Sequence, residues 1–170
     1  MIFNLDSKII NGNEKYNESL KKWINPSRKI KAELLYRLSE NGDNTCTFHE
    51  LCDNKGPTLT LFRVNDGNIF GIYTPFPWDT NSKVQNDIDT SIFNLNKNIK
   101  YQKLDNHYVC YYNSTGPSTI CFGCGNSMKS IWLVKDINKY YDKGSEILQS
   151  NKQFTEYDLV ETEIYKIVIE

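Results

Sequence analysis

His49, Cys52 and Asp53 stand at i, i+3 and i+4 in His49-Glu50-Leu51-Cys52-Asp53, so a helix there places all three on one face. A cysteine beside a histidine is the pairing from which an activated thiolate is built, with a carboxylate to orient the ring. Each residue also has a structural task open to it. Cys52 can pack as a small hydrophobe, Asp53 can shape the turn before Gly56-Pro57, and His49 can bond locally. Free cysteine is among the most buried residue types, so the structural account is preferred. No residue is assigned as catalytic on this reading, and His49, Cys52 and Asp53 are the candidates if the chain does chemistry.

Cys121-Phe122-Gly123-Cys124 has the spacing of a redox pair or of half a zinc site. The second half would need two more ligands, yet Cys46, Cys52 and Cys110 are scattered and His107 stands alone, so no metal is expected. A redox pair is helped by a helix N-terminus after a strand, whereas this pair lies in a Gly-rich loop. Oxidation of Cys121 and Cys124 is expected to be incidental. Gly123, Gly125, Asn126, Ser127 and Lys129 resemble a phosphate cradle, but neither GxxxxGK[ST] nor a helix-opening GxGxxG is present, and no cofactor is expected. The aromatics Phe70, Tyr73, Phe76 and Trp78, set among Pro75 and Pro77, form a candidate binding ridge. Phe70 and Trp78 are expected in the core, which leaves Tyr73, Phe76 and the loop residue Asn126 as binding candidates.

These residues need elements to hold them. Tyr16, Leu20, Trp23 and Ile24 recur at helical spacing after Asn13, a cap, and before Pro26, a stop. Ser27 then predicts the cap of a second helix striped by Ile30, Leu34, Leu35 and Leu38 and closed by Asn41-Gly42. A third, short helix capped by Asn44 or Thr47 would carry Phe48, Leu51 and Cys52. Arg37, on the second helix, is expected to pair with a carboxylate such as Asp53. From Gly56 onward the pattern changes to short β-branched and aromatic runs: 58–64, 68–74, 91–95, 108–112, 130–134 and 160–169. Asp66-Gly67 predicts a type I′ hairpin turn. A helical block at about 13–53 followed by a sheet region at about 57–170 predicts one α+β domain over 1–170, a two-sheet antiparallel β-sandwich with a small block of N-terminal helices.

Composition narrows the function. A chain of 170 residues with 39% hydrophobic residues suits one globular domain without metal or disulfide staples. Twenty Lys+Arg against 21 Asp+Glu leave a net charge of -1, so no overall basic field exists for nucleic acid or anionic lipid. Lys21, Lys22, Arg28, Lys29 and Lys31 make the local basic patch on which a DNA-binding role would rest; solvated helix faces are the simpler account. The opening MIFNLDSKII lacks the form of a signal segment, no run of 18 apolar residues occurs, and five irregularly spaced cysteines suit a reducing compartment. A cytoplasmic protein without membrane insertion is expected, its oligomeric state left open.

Several blocks in order carry a resemblance: Leu34-Leu35-Tyr36-Arg37; Phe48-His49-Glu50-Leu51-Cys52-Asp53; Lys55 to Leu61, reading KGPTLTL; and Phe70-Gly71-Ile72-Tyr73-Thr74 with Pro77-Trp78. Together they resemble the signature of the TLDc domain family, of the oxidation-resistance type. The likeness continues through Ile92 to Leu95, Gly116-Pro117-Ser118 and Glu161 to Ile167, spanning about Ser7 to the end. The resemblance implies an antiparallel sandwich with a small helical block. It further implies a non-catalytic, protein-binding regulatory module linked to oxidative-stress resistance, with the vacuolar proton-pumping ATPase as a partner. The alternative from another class is a thiol-dependent or hydrolytic enzyme using Cys52 and His49. Two departures from the family pattern stand out. Gly42-Asp43-Asn44 replaces a Gly-Phe-Ser-like step, and Gly123-Cys124-Gly125-Asn126 replaces a Gly-Gly-His-Asp-like stretch, removing its histidine and carboxylate.

Overall fold

A computed structural model of the protein describes residues 3–79, 84–85, 89–104, 109–110, 115–119, 122–134, 141–142 and 154–170. Helix α1 (Glu14–Ile24) begins at Asn13, whose side chain accepts from the Tyr16 N–H, and ends at an extended Asn25 before Pro26. Its predicted stripe packs inward, with Leu20 buried and Tyr16, Trp23 and Ile24 against the same cluster. Strand β1 (Ile30–Arg37) follows, then a single helical turn, α2 (Leu38–Asn41), and α3 (Thr45–Cys52). Asn44 caps α3 by accepting from the Cys46 N–H, as one of the two proposed caps predicts.

The second predicted helix is therefore wrong: 30–37 is a strand, and Ser27 caps nothing helical. The reason is visible in its register. Ile30 to Leu34 alternate opposite Ile169 to Tyr165, then a bulge at Leu35 shifts the phase so that Tyr36 faces Ile164. One extra residue converts a period of two into spacings that read as helical.

The remaining strands are β2 (Thr58–Val64), β3 (Ile69–Thr74), β4 (Val84–Gln85), β5 (Ser91–Asn94), β6 (Ile99–Gln102), β7 (Val109–Cys110), β8 (Phe122–Cys124), β9 (Ser130–Val134) and β10 (Phe154–Ile169). The β2–β3 hairpin forms where the sequence places it, but not through a type I′ turn. Gly67 has a positive φ of 89° and Asp66 does not, and the Gly67 N–H bonds to the Val64 carbonyl, giving a tight turn closed by a left-handed glycine. The predicted strand at 108–112 is described only at 109–110, which pair with 84–85.

Among the described residues the main strands are linked through β10 rather than divided into two separate sheets. Eight belong to one antiparallel sheet of order β6-β5-β3-β2-β10-β9-β8, with β1 also on β10, and β4–β7 form a separate small ladder. The antiparallel α+β class holds, while the two-sheet sandwich is replaced among the described residues by a single curled sheet. The curl comes from β10, a 16-residue strand that pairs with β9 over its first part and with β2 and β1 over its second, with a bulge between Leu159 and Glu161. Curling carries Phe122 of β8 over β2 and β3, its ring 5.8 Å from Phe62 and 5.9 Å from Phe70.

Two cores result. One, holding Tyr36, Phe48, Cys52, Phe62, Phe70 and Trp78, lies inside the curl and is closed by α3. The other, holding Leu59, Leu61, Phe93, Tyr165 and Ile167, is covered by α1 and by Phe3, Leu5, Ile9 and Ile10 of the leading segment. Gly71 faces Phe93 across β3 and β5, and a Cβ there would lie 2.1 Å from the Phe93 ring, so only glycine lets the ring close over the strand.

Candidate functional site

The corner that follows α3 gathers the residues in which the sequence placed its chemistry. Asn54 and Gly56 take positive φ of 58° and 89°, which turns the chain sharply from α3 into β2. The Asn54 N–H bonds to the Trp78 carbonyl, and Trp78 stacks edge-on against Phe48, so the stretch after β3 is stitched to the corner. His49, in the last turn of α3, and Asp53, the extended residue just past its end, do come together. His49 Nδ1 lies 2.8 Å from an Asp53 carboxylate oxygen and Nε2 lies 2.9 Å from the Thr115 carbonyl oxygen. Both ring nitrogens are engaged, one by a side-chain carboxylate and one by a backbone carbonyl. The pair thus clasps α3, the corner and the 115–119 loop together.

Cys52 occupies a different environment. It is wholly buried among Phe48, Tyr36 and Trp78 of the first core. Burial, with the nearby Asp53 charge adding to it, pushes its thiol well above the usual value. An uncharged thiol sealed from water is a poor nucleophile, and His49 keeps no ring nitrogen unengaged to act as its base. Of the proposed redox pair, Cys121 lies outside the described residues. Cys124 is buried, its thiol also pushed up by burial and then by Asp43. Cys46, by contrast with Cys52 and Cys124, is exposed.

The binding candidates are dispersed. Phe70 and Trp78 are core residues, as expected. Tyr73 is half-buried against the second core, Phe76 is 43% exposed in the turn after β3, and Asn126 is exposed in the turn after β8. Arg37 does not meet Asp53. Its Nε donates to Glu163 at 2.8 Å and one terminal nitrogen to Glu40 at 2.8 Å. Burial works against the Arg37 charge, but hydrogen bonding to Glu40 and Glu163 outweighs it and holds the guanidinium above its ordinary value.

Two features escape sequence reasoning. The first is Glu163, fully buried on β10, whose carboxylate accepts from Ser7 Oγ at 2.5 Å, the Lys8 N–H at 3.0 Å, Arg37 Nε and the Tyr165 hydroxyl at 2.9 Å. The signal is present as Glu161-Thr162-Glu163, two carboxylates set between the apolar pairs Leu159-Val160 and Ile164-Tyr165. The second is Asp43. It accepts from Ser127 Oγ at 3.1 Å and from the Met128 N–H at 2.6 Å, which ties the 42–44 step to the turn just after 123–126. The Asp43 carboxylate thus anchors the turn at 127–128. Nearby, the Gly116 N–H bonds to the Gly125 carbonyl and the Cys124 N–H to the Pro117 carbonyl, which ties the 115–119 loop to the same turn.

The result is a cluster of loops, 42–44, 53–57, 115–119 and 125–129, tied together by His49–Asp53 and Asp43; residues 42–44, Asn54, Lys55, Asn126 and Lys129 are its exposed part, while 116–119 are buried. A separate open cleft of about 520 Å3, lined by Phe3, Asn4, Gly12, Glu14, Asn17, Glu18 and Lys21, shares no residue with it. No cluster of three His, Cys, Asp or Glu side chains suited to a metal occurs among the described residues. Nor is any helix among them long and apolar enough to cross a membrane. The search of curated proteins gives no match. The sequence model of the TLDc domain matches residues 3–168, nearly the whole chain, and the chain therefore belongs to the TLDc domain family.

Proposed function

We propose that this chain is a protein-binding regulatory module of the oxidation-resistance type, working by surface contact rather than by chemistry on a substrate. The observation that carries the reading is the state of the two side chains best suited to catalysis. Cys52 is sealed with its thiol pushed up, and both nitrogens of His49 are engaged by Asp53 and Thr115. Family membership supports the link to oxidative-stress resistance. For the partner we take the vacuolar proton-pumping ATPase, met through the loop surface above the His49–Asp53 clasp, with Phe76 and Asn126 as exposed contact candidates on the neighbouring turns.

Capture from cell lysate with tagged protein tests the partner. Pump subunits are expected with wild type and depleted with Phe76→Ala and Asn126→Ala together. Reproducible recovery of another complex without pump subunits overturns the partner assignment. Thiol labelling tests the mode of action. At neutral pH, Cys46 is expected to alkylate at least about a hundredfold faster than Cys52 in the native protein, the difference vanishing in denaturant. Fast native labelling of Cys52 would favour the enzyme reading.

A further inference from the structure

Two edges of the large sheet, β6 and β1, are finished differently. Beyond β6, the Asp142 N–H bonds to the Gln102 carbonyl and the Asp142 carboxylate accepts from the Gln102 N–H, so that edge is covered. β1, at the other side of β10, has no second neighbour among the described strands. Which of its groups face outward follows from its register. Lys29 exchanges two backbone bonds with Glu170, at 3.2 and 2.8 Å. Lys31 opposite Val168 and Glu33 opposite Lys166 are in the same phase. The N–H and C=O groups of Ile30, Ala32 and Leu34 therefore point away from β10.

This free edge is complementary to itself. We propose that β1 pairs antiparallel with β1 of a second copy of the chain, about a twofold axis through Ala32. In that register Ala32 faces Ala32 of the second copy, and Ile30 faces Leu34. These are the residues whose backbone groups point away from β10 and bond to no other described strand, so their outward N–H and C=O groups all find partners. Lys31 then faces Glu33 of the other copy, and Glu33 faces Lys31, at the positions where antiparallel side chains approach most closely. Glu33 makes no ion pair among the described residues, and Lys31, which already meets Glu170, retains further donors on its ammonium. Neighbouring registers fail on charge: a centre on Ile30 sets Lys31 against Lys29, and a centre on Leu34 sets Lys31 against Arg37. Apolar exposure points the same way. Leu34, Val168 and Ile169, at 36%, 39% and 37% exposed, are all on β1 or the adjacent end of β10, and the twofold register brings Leu34 into the contact. The inference is independent of the proposed pump contact.

The twofold axis makes each substitution act twice, which suits a charge-swap test by sedimentation equilibrium of the full chain up to roughly 100 μM. Wild type is expected to show concentration-dependent dimer. Lys31→Glu alone and Glu33→Lys alone each place like charges at both contacts and should weaken association at least about tenfold, while the double swap should restore it to within about threefold. Ala32→Pro should abolish it without unfolding the monomer, because the lost N–H points away from β10. Thermal melting of each variant confirms that the monomer is intact, and if Ala32→Pro fails to fold, the charge swaps alone decide the matter. A wild type that stays monomeric throughout, a double swap as weak as the singles, or a dimer indifferent to all these changes overturns the proposal.

Discussion

Arg37–Glu163 and His49–Asp53 are both buried pairs closed at 2.8 Å, yet they hold different parts of the molecule by different means. The first joins residues 126 positions apart and draws in Ser7, Lys8 and Tyr165, fastening the leading segment and β1 to the middle of β10. Its guanidinium is permanently charged, and its carboxylate has four donors. The second is local, one turn apart at the end of α3, and its reach comes from the second ring nitrogen on the Thr115 carbonyl. One centre closes a core; the other sets the posture of loops. Under the surface-binding role proposed above, damage to the first should act on folding, and damage to the second on the shape offered to a partner.

The largest effect is expected at Glu163. Glu163→Ala strands Arg37 in a buried site and should cost about 3–5 kcal/mol in urea unfolding. A cost near zero would remove the core-closing role assigned to it. Asp53→Ala leaves one nitrogen of His49 unpartnered and should cost about 1–3 kcal/mol, with faster amide exchange in 115–119. Equal costs at the two sites would erase the distinction between them. Asp43→Ala should cost about 1–2 kcal/mol and quicken exchange at 127–129 while β2 and β10 stay protected. Loss of protection across the whole sheet would mean that Asp43 braces the fold and not the turn.

The smallest effect concerns pH. Hydrogen bonds from Arg37 and then Lys8 hold the Glu40 carboxyl below its ordinary value of 4.5. A carboxyl depressed on folding adds stability that is present above 4.5 and lost as pH falls through the folded value. Glu40 is exposed, so the contribution is screened. Melting temperatures of wild type and Glu40→Gln should converge on acidification and also on raising salt at neutral pH. A gap that widens toward low pH would reverse the sign assigned to the group.

What the sequence discloses is what local chemistry decides. Asn13 and Asn44 cap the helices, Asn54 to Pro57 turn the corner, and the β2–β3 hairpin falls where alternation and Asp66-Gly67 place it. Legibility fails where a distant partner decides. β1 reads as a helix because a bulge at Leu35 disrupts its alternation, and its strand conformation is held by β10, more than a hundred residues away. The two-sheet sandwich is the natural expectation because nothing in 154–169 announces that one strand bends and changes neighbours. Within the candidate site, His49 and Asp53 are legible because helical spacing joins them, whereas Thr115 is not, since it enters through a backbone carbonyl that any residue type supplies. Arg37 is recognisable as a pairing residue but is matched to the wrong carboxylate, because sequence order says nothing of which strand lies beside it.

The claim that contact and not thiol chemistry underlies function is met most directly by peroxide survival of cells expressing Cys52→Ala at the same folded level as wild type. Protection equal to wild type is the predicted result. Protection lost with Cys52 while the protein stays folded and abundant would contradict the account.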